Sequence, residues 1–418
     1  MKIQADNLQY SRVIKASPFY FGWLVLFAAT IGLIMTLPGQ TVIVSVFIDK
    51  IIADLHQSRT KVSIMYAMAT LLGSFVLPLV GRFIDRRGPR LSVIIISFLF
   101  AAACVFMSFV SGLLMLFVGF VLIRSLGQGS LSLVSQHIIN LWFIRRRGLT
   151  IGISGVGFAM GVAFLPSLIE RIINIYDWRM AYIILGLIVA TTILPLGALL
   201  FRGQPERFGL EPDGSNPKSE KAFETNYTAS EARKTGIFWL FTAATITTSM
   251  LATGLLFHNY SILAENGLSR DLATKVFIPI GFLAAAANLI TGYLLDKIAP
   301  RYALSVAMFL LLAALGLATQ ISSLAGIYFY GAMLGTMQGT AGAISSTVFA
   351  HHFGRRHLGA IKGLVTTLSV AGSALGPVLF SFGYDVFGSY TTIILLSALL
   401  PLAIGVAAPF IKPINQRR

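Results

Sequence analysis

One cysteine, Cys104, occurs among the 418 residues. No intrachain disulfide can form, so cysteine pairing does not reveal the compartment. Charge is also scarce: 11% of residues are Asp, Glu, Lys or Arg, 56% are hydrophobic, and the mean hydropathy is +0.80. A soluble protein this apolar would expose large sticky patches, so lipid is its natural solvent. Acids number only 16. There is no phosphate-binding glycine loop, metal-ligand cluster or nucleophile triad in a plausible context. ATP-driven transport and enzymatic chemistry therefore lack support, and no cofactor is implied. No cleavable leader is evident: the first apolar stretch is too long for a signal segment and reads as a retained helix.

What is present is apolar length. A spanning helix needs about 20 mainly apolar residues. Twelve such segments occur, at 19–48, 60–84, 91–110, 113–140, 148–170, 179–200, 236–262, 272–294, 302–320, 325–350, 359–382 and 389–411. Short alternating strands, as in a membrane barrel, are not seen. The net charge of +16 invites a nucleic-acid reading, but its distribution opposes it. Of 32 Lys and Arg, 24 fall on the face that carries both termini and the central linker, seven on the other face, and one, Arg124, inside a span. This asymmetry predicts cytoplasmic termini and accounts for the basic pI.

Residues 202–235 form the one long polar stretch and read as a linker between six-span halves at 1–201 and 236–418. The halves repeat. "GRFIDRRGPR" from Gly81 returns as "GYLLDKIAPR" from Gly292, "GQG" at 127–129 as "MQG" at 337–339, "WFIRRRGL" at 142–149 as "HFGRRHLG" at 352–359, and "SR" at 58–59 as "SR" at 269–270. The matches keep their order at shifts of 210 or 211 positions, as a duplicated six-helix unit would.

Paired six-helix halves, a central loop and a charged hairpin after the second span of each half resemble the major facilitator superfamily of secondary transporters. Its "GxxxDRxGxR" hairpin is matched by Gly81, Asp85, Arg86, Gly88 and Arg90, and in degraded form by Gly292, Asp296, Lys297 and Arg301. "WFIRRRGLTIGISGVG" at 142–157, "GLEPDG" at 209–214 and "TGLLFHNYSILAENGLS" at 253–269 are similar to the bacterial monocarboxylate and oxalate–formate group. The resemblance implies an all-α membrane fold of twelve helices in two pseudo-symmetric halves, and gating by Gly81, Asp85, Arg86, Arg90, Asp296 and Arg301. It places Asp85 near the start of the eleventh helix and Asp296 near the start of the fifth. Proton-coupled lactate carriers hold an Asp and an Arg in the eighth helix, where this chain has Ala284 and Asn288. Lactate–proton symport by that mechanism is thereby put in doubt.

Charge at membrane depth is costly, so each instance is a candidate site. No acid lies mid-span: Asp49, Glu170 and Asp385 fall near outer helix ends, Asp85 and Asp296 near inner ends, and the rest in loops, tails or the linker. An organic cation is disfavoured as cargo. Arg124, the one mid-span cation, is the candidate partner for a substrate carboxylate, and a brace onto backbone carbonyls, Gln40 or Gln128 is its structural alternative. "TLPGQT" at 36–41 breaks the first span, as backbone that lines a cavity can, which would turn Gln40 and Thr41 to substrate; a simple kink with Gln40 bonded to a neighbouring helix is the other reading. Gln128 and Gln338 occupy matched places in the fourth and tenth spans, as site residues or as helix glue. His258 is the candidate proton relay, with a packing role as the other reading, and a packing role is favoured for His137. Glycines at 152, 155, 157 and 161 read as close packing of the fifth span.

The sequence thus predicts an inner-membrane secondary transporter, monomeric, that binds a small, anionic substrate and rocks between two states. Proton symport and anion exchange both stay open. Export of an amphiphilic metabolite or siderophore is the alternative, and a non-transporting membrane sensor the alternative of another class.

Overall fold

A computed structural model describes residues 14, 17–144, 146–214, 227–295, 297–353 and 358–411. These residues are helical throughout, joined by short turns, with no strand among them. Eleven helices are long and apolar enough to cross a bilayer: Gly22–Asp54, Arg59–Arg87, Pro89–Met107, Leu113–Trp142, Gly148–Ile175, Trp178–Leu200, Gly236–Phe257, Arg270–Leu294, Pro300–Ala318, Ile361–Phe387 and Tyr390–Phe410. The tenth segment of the sequence is also a helix, Leu324–Phe353, of ample length at 30 residues. Its Gly, Ser, Thr and Gln content dilutes its hydropathy, which is why eleven helices and not twelve qualify on composition. The twelve are called spans 1 to 12 below. By chain order, one end of each span lies on the side of the 202–235 linker and the other on the far side.

The helices group into two compact units. The first comprises Met1–Gln40, Leu72–Gly161 and Ile172–Glu220. Spans 3 and 6 pack closely in it: a Cβ on Gly186 would come within 2.8 Å of the Ala101 carbonyl oxygen, so nothing larger than glycine fits. At the linker-side end of span 4, Trp142 is fully buried against Phe21 and Tyr20, whose hydroxyl donates to the Trp142 carbonyl at 2.8 Å. The linker is tied to the same place. The Asp213 carboxylate accepts from the backbone N–H of Ile144 at 2.8 Å and of Arg146 at 3.0 Å. The "GLEPDG" and "WFIRRRGL" stretches are thus physically joined.

The second unit comprises Thr41–Leu71, Val162–Arg171 and Lys221–Arg418. It collects spans 7 to 12 and the far-side pieces of spans 1, 2 and 5. Span 8 lies against span 10, where a Cβ on Gly335 would sit 2.6 Å from the Ile280 carbonyl oxygen. Span 7 lies against span 11, and the contact is polar on one stripe: Ser249 bonds Ser369 at 2.6 Å and Thr253 bonds Ser373 at 3.0 Å. Small residues and hydroxyls are the expected glue between helices that lipid cannot push together. Phe238, Phe349 and Phe353 close the linker-side end of this unit. Large apolar side chains such as Phe75, Leu114, Phe329 and Phe410 stand exposed, as membrane-facing residues should.

Candidate functional site

The first unit holds the broken span. Thr36-Leu37-Pro38-Gly39 forms a 3-10 turn and Gln40 is extended, at φ −86° and ψ 151°, before helix resumes at Thr41. The break expected at "TLPGQT" is therefore present. Span 4 is irregular at the facing position: Arg124–Leu131 is π-helical, a form that often marks functional sites. The two irregular segments touch. Gly39 lies on Gly127, and a Cβ added to Gly39 would come within 3.0 Å of the Gln128 nitrogen. Arg124 is buried at 4% exposure, and its Nη1 donates to the Gly39 carbonyl at 3.1 Å. The brace foreseen for Arg124 thus exists, onto backbone. Gln40 donates from Nε2 to the Thr36 hydroxyl at 3.4 Å. Gln128 keeps a buried Oε1 without a hydrogen-bond partner. The structure brings Arg124, Gln40 and Gln128 to one locality in this unit.

The other candidates lie in the second unit. Thr41 and Tyr66 share a hydrogen bond of 2.7 Å, which ties span 1 to span 2. Asn288 donates to the Gly339 carbonyl at 3.2 Å, beside Gln338, whose Nε2 is buried without a partner. An unpaired buried polar atom costs roughly 1–3 kcal/mol, so the two matched glutamines each offer an open valence at membrane depth. His258 is placed differently. It is fully buried, its Nε2 contacts the Pro377 carbonyl at 2.9 Å, and its Nδ1 contacts the Tyr390 hydroxyl at 3.3 Å. Phe257 and Phe380 enclose the ring. With both nitrogens engaged, this histidine joins spans 7, 11 and 12.

A cluster at the far side is built from residues that the sequence placed at helix ends and not among the site candidates. Asp49 of span 1 accepts from Arg59 of span 2 at 2.8 Å and from Arg270 of span 8 at 3.0 Å. Ser261 donates to the same carboxylate at 3.1 Å. Arg270 also donates Nε to Glu170 of span 5 at 2.7 Å and Nη2 to the Val46 carbonyl, and lies 4.2 Å over the Tyr260 ring. A hydrogen bond from Thr60 to Asp385 joins spans 2 and 11 nearby. A planar fork that serves two carboxylates, one carbonyl and one ring is a role lysine could not fill. One signal was legible: Arg59 and Arg270 are the repeated "SR" arginines, and each ends on a different oxygen of Asp49.

The hairpin residues divide. Gly88 has φ +80°, which glycine takes without strain, and this allows the tight turn between spans 2 and 3. Gly81 is half-buried, and Asp85 and Arg86 are exposed on the linker side. Arg90 donates Nε to the Ala198 carbonyl at 2.8 Å, and Arg301 donates Nη1 to the Ile411 carbonyl at 3.0 Å. Each of these arginines binds the end of the last span of its own half. Asp296 lies outside the described residues, as do the side chains at 358–360, part of the stretch 358–362 expected beside Asp85. Among the described residues no group of His, Cys, Asp and Glu could hold a metal.

The model of the Major Facilitator Superfamily matches residues 22–377 and 249–418. The oxalate:formate antiporter of Oxalobacter formigenes is 23% identical over 373 residues, 86% of this chain and 84% of that protein. Monocarboxylate transporter 11 of Homo sapiens is 28% identical over 350 residues, 81% of this chain and 72% of that protein. The hexuronate transporter of Bacillus subtilis is 23% identical over 383 residues, 86% and 88% of the two chains. Among solved structures, a bacterial homologue of the human lysosomal transporter Spinster, inward-facing and unoccupied, superposes with a TM-score of 0.72 over 94% of this chain and 96% of that one, at 16% identity.

Proposed function

We propose a cargo for a chain that belongs to the major facilitator superfamily of secondary transporters: a small organic anion of the monocarboxylate type, moved by alternating access. The protein is a multi-pass membrane transporter and not an enzyme. The observation that carries the reading is Arg124, a buried cation where a π-helical turn of span 4 meets the break in span 1. A guanidinium matches a carboxylate with its planar fork of donors. Gln128, in the same unit, supplies an acceptor. The names of the relatives support the class, since oxalate, formate, monocarboxylates and hexuronates are all carboxylates.

The far-side cluster of Asp49, Arg59, Glu170 and Arg270 acts in this reading as the outer gate, closed while its ion pairs stand. The linker side is cytoplasmic by the distribution of basic residues. Exchange of one anion for another fits better than proton symport. No carboxylate lies mid-span, and the His258 nitrogens are engaged in packing.

Proteoliposome counterflow tests the reading. Vesicles loaded with oxalate, formate, lactate or glucuronate should take up the labelled anion, and Arg124→Lys should weaken apparent affinity at least tenfold in a protein that stays folded. Unchanged affinity for the transported anion in Arg124→Gln would make Arg124 a brace only and remove the main support for an anionic cargo. A pH gradient that drives net uptake without a counter-anion would replace exchange by proton coupling.

A further inference from the structure

The exposed face between spans 3 and 6, in the first unit, carries a groove of about 520 Å³. Ile95, Phe98 and Leu99 form one wall, and Leu194, Pro195 and Ala198 the other. The lining is apolar, as any membrane-facing groove could be. Its linker-side end is not. The Ala198 carbonyl oxygen accepts from Arg90 Nε at 2.8 Å and from Arg202 Nη1 at 3.1 Å, so two guanidiniums meet on one backbone oxygen where the groove ends. Arg202 is buried at 8% exposure, and its Nε has no hydrogen-bond partner. Arg90 is exposed. Among the described residues no carboxylate stands within ion-pair distance of either. Burial first, and then the neighbouring Arg90, pull the Arg202 guanidinium below its ordinary pKa.

Two like charges side by side at a membrane boundary need an anion that no described residue supplies. The groove adds a second demand, for an apolar tail continuous with that anion. The lengths agree. At 1.5 Å per helical residue, Arg90 to Leu99 covers about 13 Å along span 3, close to the roughly 15 Å of hydrocarbon in one leaflet. Arginine pairs match phosphate oxygens with several donors at once. A free phosphate would satisfy the charges but leave the groove to random lipid tails. A zwitterionic lipid would bring its own cation to the arginines.

The geometry points to a site for an anionic phospholipid, with its phosphate on Arg90 and Arg202 and one acyl chain in the groove between spans 3 and 6. The lipid belongs to the linker-side leaflet. It fastens span 3 to span 6 through the ligand, in addition to the carbonyl that both arginines already hold.

Native mass spectrometry of the full chain, released from nanodiscs of dioleoyl phosphatidylglycerol or dioleoyl phosphatidylcholine, reads occupancy directly. The expected result is a retained phosphatidylglycerol, preferred about tenfold over phosphatidylcholine. Arg202→Gln should reduce that retention about tenfold. Leu99→Trp, which fills the groove at an exposed position and leaves both arginines in place, should reduce it to a similar degree. Inorganic phosphate alone should give no rise in Tm in neutral detergent, whereas phosphatidylglycerol should. The proposal is overturned by equal retention of the two lipids, or by phosphatidylglycerol retention that survives both substitutions. Stabilisation by inorganic phosphate equal to that by phosphatidylglycerol would overturn it too, since the site would then take a free anion.

Discussion

Arg270→Gln is the perturbation with the widest reach. The arginine holds Glu170 at 2.7 Å and Asp49 at 3.0 Å, bonds the Val46 carbonyl and lies on Tyr260, so one residue links spans 1, 5 and 8. Its side chain is 23% exposed, that of Asp49 25% and that of Glu170 5%. A fully exposed pair is worth about 0–1 kcal/mol, and removal of one partner from a fully buried pair costs about 3–5 kcal/mol. The cluster lies between these limits, and its loss is placed at about 2–3 kcal/mol, because Glu170 loses its ion-pair partner in near-complete burial. At 1.4 kcal/mol per tenfold, the population with the far side open rises roughly 30- to 150-fold relative to the closed one. Ser45, fully buried one turn from Asp49, is the reporter. In a Cys104→Ser background, Ser45→Cys should react with a small maleimide at least tenfold faster when Arg270 is Gln. Arg270→Lys should fall between, and Asp49→Asn combined with Arg270→Gln should add little to either alone. An unchanged labelling rate in a variant with unchanged Tm would refute the view that these ion pairs hold the far side shut.

Three other outcomes follow from the same contacts. His258→Gln should cost about 1–3 kcal/mol through its contacts with Pro377 and Tyr390, seen as a lower Tm, and should leave the pH profile of transport in place; a lost pH dependence at unchanged Tm would restore the proton-relay role. Gly39→Ala should cost about 1–3 kcal/mol by overpacking against the Ile123 carbonyl and Gln128, with transport lost, and wild-type flux in that variant would show the junction of spans 1 and 4 to be loose. Glu211→Cys in the Cys104→Ser background should resist an impermeant thiol reagent in intact cells, and ready labelling would overturn the cytoplasmic placement of the linker.

Much of the fold is legible in the sequence because lipid leaves a chain few choices. Apolar length gives the spans, and the break at Pro38-Gly39 is visible because proline and glycine disturb any helix. The duplication is visible because the repeats keep their spacing. The π-helical turn at Arg124–Leu131 left no mark, since "RSLGQGSL" is compatible with an ordinary helix. The far-side cluster was missed for a related reason. Asp49, Arg59, Glu170 and Arg270 each look like a solvated helix end, and sequence does not say which ends meet. The tenth span shows the opposite limit: its glycines depress hydropathy, yet Gly335 and Gly339 are what let span 8 approach so closely. His258 invites a proton-relay reading by its chemistry alone, and the Pro377 carbonyl and Tyr390 hydroxyl that occupy it come from over a hundred residues away.

The π-helical turn also sets the phase of everything after it in span 4. A wider turn holds one more residue than an α-turn, so each later side chain points about 100° away from where uninterrupted α-winding would aim it. Trp142, at the end of the span, meets Tyr20 and Phe21 only with that offset. Removal of one residue between Leu126 and Leu131 would let the helix wind regularly and would swing Trp142 off its aromatic neighbours. The surplus residue near mid-membrane and the aromatic lock at the membrane edge are therefore one piece of register, and a lineage that lost the first would have to rebuild the second.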